Sequence, residues 1–115
     1  MRSEIILLAE NIDLLRYFYR EVIGLNEVII DSNDFVEFQL SADSSLILEK
    51  CQFPYTEHTS SACRFAIEVN DIDRIKQSMD NDRTPLTENF SHSGRYSLRG
   101  CDPEGNIFIL YPAGS

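Results

Sequence analysis

The chain holds little of what staples or metallates a small protein. Its three cysteines, Cys51, Cys63 and Cys101, are odd in number and include no CxxC pair. That argues against a disulfide framework or a zinc knuckle and leaves buried or half-buried thiols. Histidine occurs only twice, as His58 and His92. No apolar run approaches the ~18–20 residues needed to span a bilayer. The start does not read as a signal peptide, because Arg2 and Glu4 flank only Ile5 to Ala9, a short strand-like run. The expected location is therefore the cytoplasm. Basic residues are scarce as well, ten Lys and Arg against nineteen Asp and Glu, for a net charge of −9. Nucleic acid needs a basic surface and is not an expected partner, and an anionic membrane is disfavoured on the same ground. The acidity either steers a cationic ligand towards the protein or serves solubility alone.

What is present suits one globular core. The 115 residues are 43% hydrophobic and 25% charged, so a single domain over residues 1–115 is expected. Glu4 to Ala9 reads as a strand, and Asn11 or Asp13 can cap the helix that follows. Leu14, Leu15, Phe18, Val22 and Ile23 recur at helical spacing, and Gly24 supplies a left-handed stop. Phe18 is a core position and Tyr19 a partly exposed one. Three strand-like runs follow, Asn26 to Ile30, Phe35 to Leu40 and Ser45 to Lys50. Cys51 to Ala62 has no periodicity and reads as a linker.

The pattern then begins again. Arg64 to Val69 is a strand, Asn70-Asp71-Ile72-Asp73 repeats the capping sequence, and helical spacing runs to about Asp82. Pro85 to Glu88, Gly94 to Arg99 and Asn106 to Tyr111 are further strand candidates. In the Asp102-Pro-Glu-Gly-Asn106 turn, Pro103 fixes φ and Gly105 permits a positive value. A shift of 60 positions lays Glu4 on Arg64, Ile12-Asp13 on Ile72-Asp73, and Glu49 on Ile109 without a gap. The repeat predicts two modules, about 3–50 and 63–112, joined by a linker at 51–62.

Three stretches carry a family resemblance: Asn11 to Leu25, Phe65 to Ile75, and the Asp-Pro-x-Gly-Asn turn with its strand, Asp102 to Pro112. In this order they resemble the vicinal oxygen chelate superfamily of glyoxalases, bleomycin-resistance proteins and extradiol dioxygenases. The resemblance implies an α+β fold in which two βαβββ modules form an open, cup-shaped mixed β-barrel with helices outside. It also implies a homodimer, with or without exchange of modules between chains. Strand alternation agrees with that fold. Ile5, Leu7 and Ala9, like Phe65, Ile67 and Val69, make an apolar face, whereas Glu4, Ile6 and Leu8, like Arg64, Ala66 and Glu68, make a mixed one.

Family enzymes hold a divalent metal at four strand positions, which the resemblance places on Glu4, on Ile47 or Glu49, on Arg64 and on Ile109. Arginine is permanently protonated and isoleucine offers only hydrocarbon, so no metal or other cofactor is expected. Glu4 and Arg64 are expected to lie near each other where the modules meet. The same face offers Glu4, Glu49, Arg64, Glu68, Arg99, Ile109 and Tyr111 as lining for a small organic ligand. Arg64 suits a carboxylate and Glu4 or Glu49 an amine; the competing reading is a solvated ion-pair cluster. Tyr111, Tyr96 and Phe38 are candidate aromatic walls, with simple core the commoner reading of each. Glu4 or Glu49 is the only candidate general base, and no nucleophile with a paired base is visible. A metal-free binding protein that sequesters or senses a small molecule is the leading reading. A metal-dependent lyase, isomerase or dioxygenase with atypical ligands and an interaction module with a filled cavity are the alternatives.

Overall fold

The computed structural model describes residues 1–51, 63–90 and 94–114. All but the first residue of the expected linker, together with His58 and His92, lie outside the described residues.

Alternation sets the first strand of each module. In β1 (Ser3–Ala9), Leu7 and Ala9 are buried and Ile5 nearly so, while Glu4, Ile6 and Leu8 are exposed. In β5 (Arg64–Val69), Phe65, Ile67 and Val69 are buried and Arg64, Ala66 and Glu68 exposed. A helix follows each strand, started by the same device: the Asn11 side chain accepts from the Leu14 amide, and the Asp71 side chain from the Arg74 amide. Helix α1 (Ile12–Tyr17) widens into a π-helical segment, Phe18–Ile23, which Gly24 ends at φ 90°. Helix α2 spans Ile72–Asn81.

The remaining strands are β2 (Val28–Asp31), β3 (Phe35–Ser41) and β4 (Ser44–Lys50), then β6 (Thr87–Phe90), β7 (Tyr96–Cys101) and β8 (Ile107–Pro112). Three of them depart from expectation. Strand β6 lies two residues beyond the expected Pro85 to Glu88, because Pro85 has no N–H for the ladder. Strand β2 starts two residues late, and β7 is displaced as a whole by two residues from the expected Gly94 to Arg99. Each module folds into one mixed sheet, ordered β1-β4-β3-β2 and β5-β8-β7-β6, with the first pair parallel and the others antiparallel. This is the α+β, two-module βαβββ architecture, with each helix on one face of its sheet.

The helix-covered faces of both sheets bury into one core that includes Leu7, Leu48, Phe65 and Leu110. The first module's helix reaches the second module's sheet. The Phe18 ring centroid lies 5.8 Å from that of Phe108, and Tyr19 lies 6.3 Å from Phe65. Tyr19 is completely buried rather than partly exposed. The other face of each sheet is open along its outer strand, where Glu4, Ile6 and Leu8 in β1 and Arg64, Ala66 and Glu68 in β5 are exposed. Among the described residues no strand pairs with β1 or β5 on its outer edge. An open groove of about 470 Å³, lined by Ser3, Ile5, Leu40, Ala66 and Glu68 among others, separates those two edges.

The pairing also corrects the gapless repeat. Glu4 stands beside Ser45 and Arg64 beside Ile107, so Ser45 corresponds to Ile107, an offset of 62 (107 less 45). Ile47 then matches Ile109, and Glu49 matches Tyr111. The two extra residues lie ahead of the last hairpin: Gln39 pairs with Ser45 and Cys101 with Ile107, so β3 and β7 already stand at an offset of 62 (101 less 39).

Candidate functional site

The open faces carry the candidate residues, and the two faces differ in charge. On the first sheet, Glu4 neighbours Ser45, Ile6 neighbours Ile47, and Leu8 neighbours Glu49. Strand β3 adds Gln39 beside Ser45, Glu37 beside Ile47 and Phe35 beside Glu49. At the centre is a cluster the sequence reading missed. Arg2 Nη2 donates to Glu37 Oε2 at 2.7 Å and lies 2.8 Å from Ser45 Oγ. Ser45 Oγ donates to the same Glu37 oxygen at 2.8 Å. Glu37 and Ser45 are buried. The cluster compensates Glu37 through a charge-assisted bond and a hydroxyl. Its signal in the sequence is a carboxylate in mid-strand, flanked by Val36 and Phe38, which alternation assigns to the opposite face. Glu4 joins through Arg2 Nε at 3.6 Å. Glu49 lies further along the same face, exposed and beside Leu8 rather than beside Glu4.

On the second sheet, Arg64 neighbours Ile107, Ala66 neighbours Ile109, and Glu68 neighbours Tyr111. Strand β7 places Arg99 beside Ile109 and Cys101 beside Ile107. Arg95 Nη2 bonds Glu68 at 2.9 Å, and its guanidinium stacks 3.9 Å over the Tyr111 ring. This face therefore carries Arg64, Arg95 and Arg99 against Glu68, and the first carries Glu4, Glu37 and Glu49 against Arg2. An acidic face and a basic face result.

Glu4 pairs with Arg2 and forms no ion pair with Arg64. Two expectations are corrected by these placements. Phe38 and Tyr96 are not walls of the open faces. Phe38 is completely buried in the core, and Tyr96 packs against that core, its hydroxyl donating to Glu88 at 2.8 Å. Lys76 of α2 bonds the same carboxylate, which lowers the Glu88 pKa, and the Glu88 bond raises that of Lys76. The cysteines form no disulfide, but Cys101 is exposed rather than buried.

The metal positions can be tested on this register. Glu4, Ile47, Arg64 and Ile109 occupy equivalent places, so three of the four offer no donor. The residues do not fit a divalent ion. Among the described residues no group of three or more His, Cys, Asp or Glu side chains is gathered as a metal would need.

A second polar centre is structural. Asp102, buried in its turn, accepts from Tyr19 Oη at 2.6 Å and from the amides of Glu104 and Asn106 at 2.9 and 3.0 Å. It also accepts from Asn106 Nδ2 at 2.9 Å. Glu104 in turn accepts from the Glu10 and Asn11 amides, both at 2.8 Å, so the turn of one module clasps the helix start of the other. Burial, reinforced by Asp102, pushes the Tyr19 phenol far above its ordinary value of 10.0. The folded state therefore holds this proton where the unfolded state releases it. The resulting stability is complete below pH 10.0 and is lost as pH rises above it. In an alkaline absorbance titration the native protein falls one tyrosine short of the denatured protein, and Tyr19→Phe abolishes the difference.

No family model and no curated protein matches the sequence. Solved structures do match in shape. A lactoylglutathione lyase from Agrobacterium tumefaciens is 23% identical at a TM-score of 0.75, over 98% of this chain and 93% of that one. A glyoxalase/bleomycin resistance protein from Streptomyces sp. CB03234 is 17% identical at 0.75, over 96% and 99%. The oxidase ChaP-H2 is 18% identical at 0.74, over 100% and 96%. This chain thus has the fold of these glyoxalase/bleomycin-resistance proteins. Among the described residues no helix is long and apolar enough to cross a membrane.

Proposed function

We propose that this protein is a metal-free, cytoplasmic small-molecule-binding protein of the glyoxalase/bleomycin-resistance type, acting by sequestration or sensing. The observation that supports the reading is the register, in which Glu4 corresponds to Arg64 and Ile47 to Ile109, the positions that the resemblance assigns to metal ligands. With one donor in four, binding rather than metal-assisted chemistry is what these faces support. Glu4 and Glu49 supply acceptors for a cationic group; Ile107, Ile109 and Tyr111 supply apolar area.

The binding unit in this reading is a homodimer. Ile6 and Leu8 are 50% and 42% exposed on an edge strand without a partner, a surface that a second chain would cover. Placing the acidic face of one copy against the basic face of its partner completes two cups and matches their charges. Sedimentation should therefore give a dimer that Leu8→Arg shifts to monomer; a wild-type monomer would contradict the arrangement. The functional test is a thermal-shift screen of small amines, carboxylates and thiol conjugates, with and without chelator. Ligands that raise Tm equally in both conditions support the reading, and a response that the chelator abolishes refutes it.

A further inference from the structure

Arg64 and Arg99 on the open face of the second sheet stand out in a chain with nearly twice as many acids as bases. Arg99 Nε is shut off from solvent and has no hydrogen-bond partner. Neither arginine forms an ion pair among the described residues; Arg2, Arg16, Arg20 and Arg95 do, and Arg74 and Arg83, which also form none, lie outside the sheets. Between them on the same face run Ile107 and Ile109, neighbours of Arg64 and Arg99 respectively. Ile109 is buried and Ile107 half-buried, so the floor between the guanidiniums is hydrocarbon. A buried donor without an acceptor is unfavourable in the free protein, and an incoming oxyanion relieves it. A planar guanidinium matches a carboxylate in a two-pronged contact, and the apolar floor suits the carbon body attached to it.

From this geometry we infer that Arg64 and Arg99 form the recognition site for the carboxylate of an apolar-bodied organic ligand. The inference rests on the small-molecule-binding reading and sharpens it. The net charge of −9 favours cations at long range, yet the local face selects an anion. A ligand spanning both faces of the dimer would then carry an ammonium towards Glu4 and Glu49 and a carboxylate towards the arginines.

The test uses the full chain with benzoate as probe, benzylamine as its cationic counterpart, and inorganic phosphate as an oxyanion without a carbon body. Calorimetry and thermal shift are run on wild type, Arg99→Met, Arg99→Lys, Arg64→Met and the control Arg20→Met. Benzoate is expected to raise the wild-type Tm and to bind more tightly than phosphate. Its Kd should weaken roughly 10- to 100-fold in Arg99→Met and Arg64→Met, the loss of a charged hydrogen-bonding group, and stay unchanged in Arg20→Met. Arg99→Lys should fall between, because the ammonium keeps the charge and loses the fork. A purely structural arginine would lower the free-protein Tm on removal, whereas Arg99→Met should leave it unchanged or raise it. Absence of benzoate binding to wild type, or a benzoate Kd unaltered in both methionine variants, overturns the inference. So does a change in dimer dissociation without any change in benzoate binding, which would assign the arginines to the partner's carboxylates. Binding of benzylamine alone defeats the carboxylate site and leaves metal-free binding intact; only a chelator-dependent response would defeat that broader reading.

Discussion

Replacing Asp102 with alanine is expected to destabilise the fold by about 3–5 kcal/mol, the loss associated with a broken buried polar network. The carboxylate is nearly inaccessible and accepts four hydrogen bonds, one from Tyr19 and three from its own turn. Alanine leaves all four donors without an acceptor, and a buried donor so left loses its full solvation. In a domain of this size the Tm should fall by more than about 10 °C. Tyr19→Phe removes only the one Asp102 bond that crosses between modules and should cost ~1–2 kcal/mol. Urea denaturation of both variants checks the ordering. Equal losses would mean that the turn does not depend on Asp102 for its internal bonds.

Phe108→Ala should cost ~3–5 kcal/mol, the range for truncating a buried aromatic where the surroundings cannot collapse. Phe108 is completely buried, with Phe18 of the other module packed beside it. Its ring also lies over Gly100, where an added Cβ would come within 2.6 Å of Phe108 Cζ. A side chain touching both the opposing helix and a neighbouring glycine has little room to be replaced by relaxation. Phe108→Leu, which keeps most of the volume, should cost less than half as much. A loss below ~1 kcal/mol for Phe108→Ala would show that the two modules do not share a core at this point.

Local rules made much of this architecture legible in the sequence. Alternation in Ile5-Leu7-Ala9 and Phe65-Ile67-Val69 identified the buried face of each first strand, and Asn11 and Asp71 cap the helices as their side chains permit. What escaped depends on contacts distant in sequence. Tyr19 is buried because a turn 83 residues away supplies its acceptor. The Arg2–Glu37–Ser45 cluster joins β3 and β4 to the residue ahead of β1 and leaves no local trace beyond one carboxylate in an apolar strand. Module pairing escaped as well: alternation gives each strand an outward face but does not say whether Glu4 and Arg64 look at one another.

Register decided the site. The 60-residue shift holds for the first strand and the helix cap of each module, then slips by two before β3 and β7. That slip moves Ile47, not Glu49, onto the place equivalent to Ile109. One carboxylate then remains among the four positions, and Arg64 brings a fixed positive charge where a cation would have to bind.

The most direct test of metal-free binding is elemental analysis by plasma mass spectrometry of protein purified without chelator, paired with thermal shifts on adding Mn²⁺, Fe²⁺, Ni²⁺ and Zn²⁺. Divalent metal far below one ion per chain, with Tm unmoved by all four, is the predicted result. One tightly held ion per chain, whose removal lowers Tm and whose return restores it, would contradict the account.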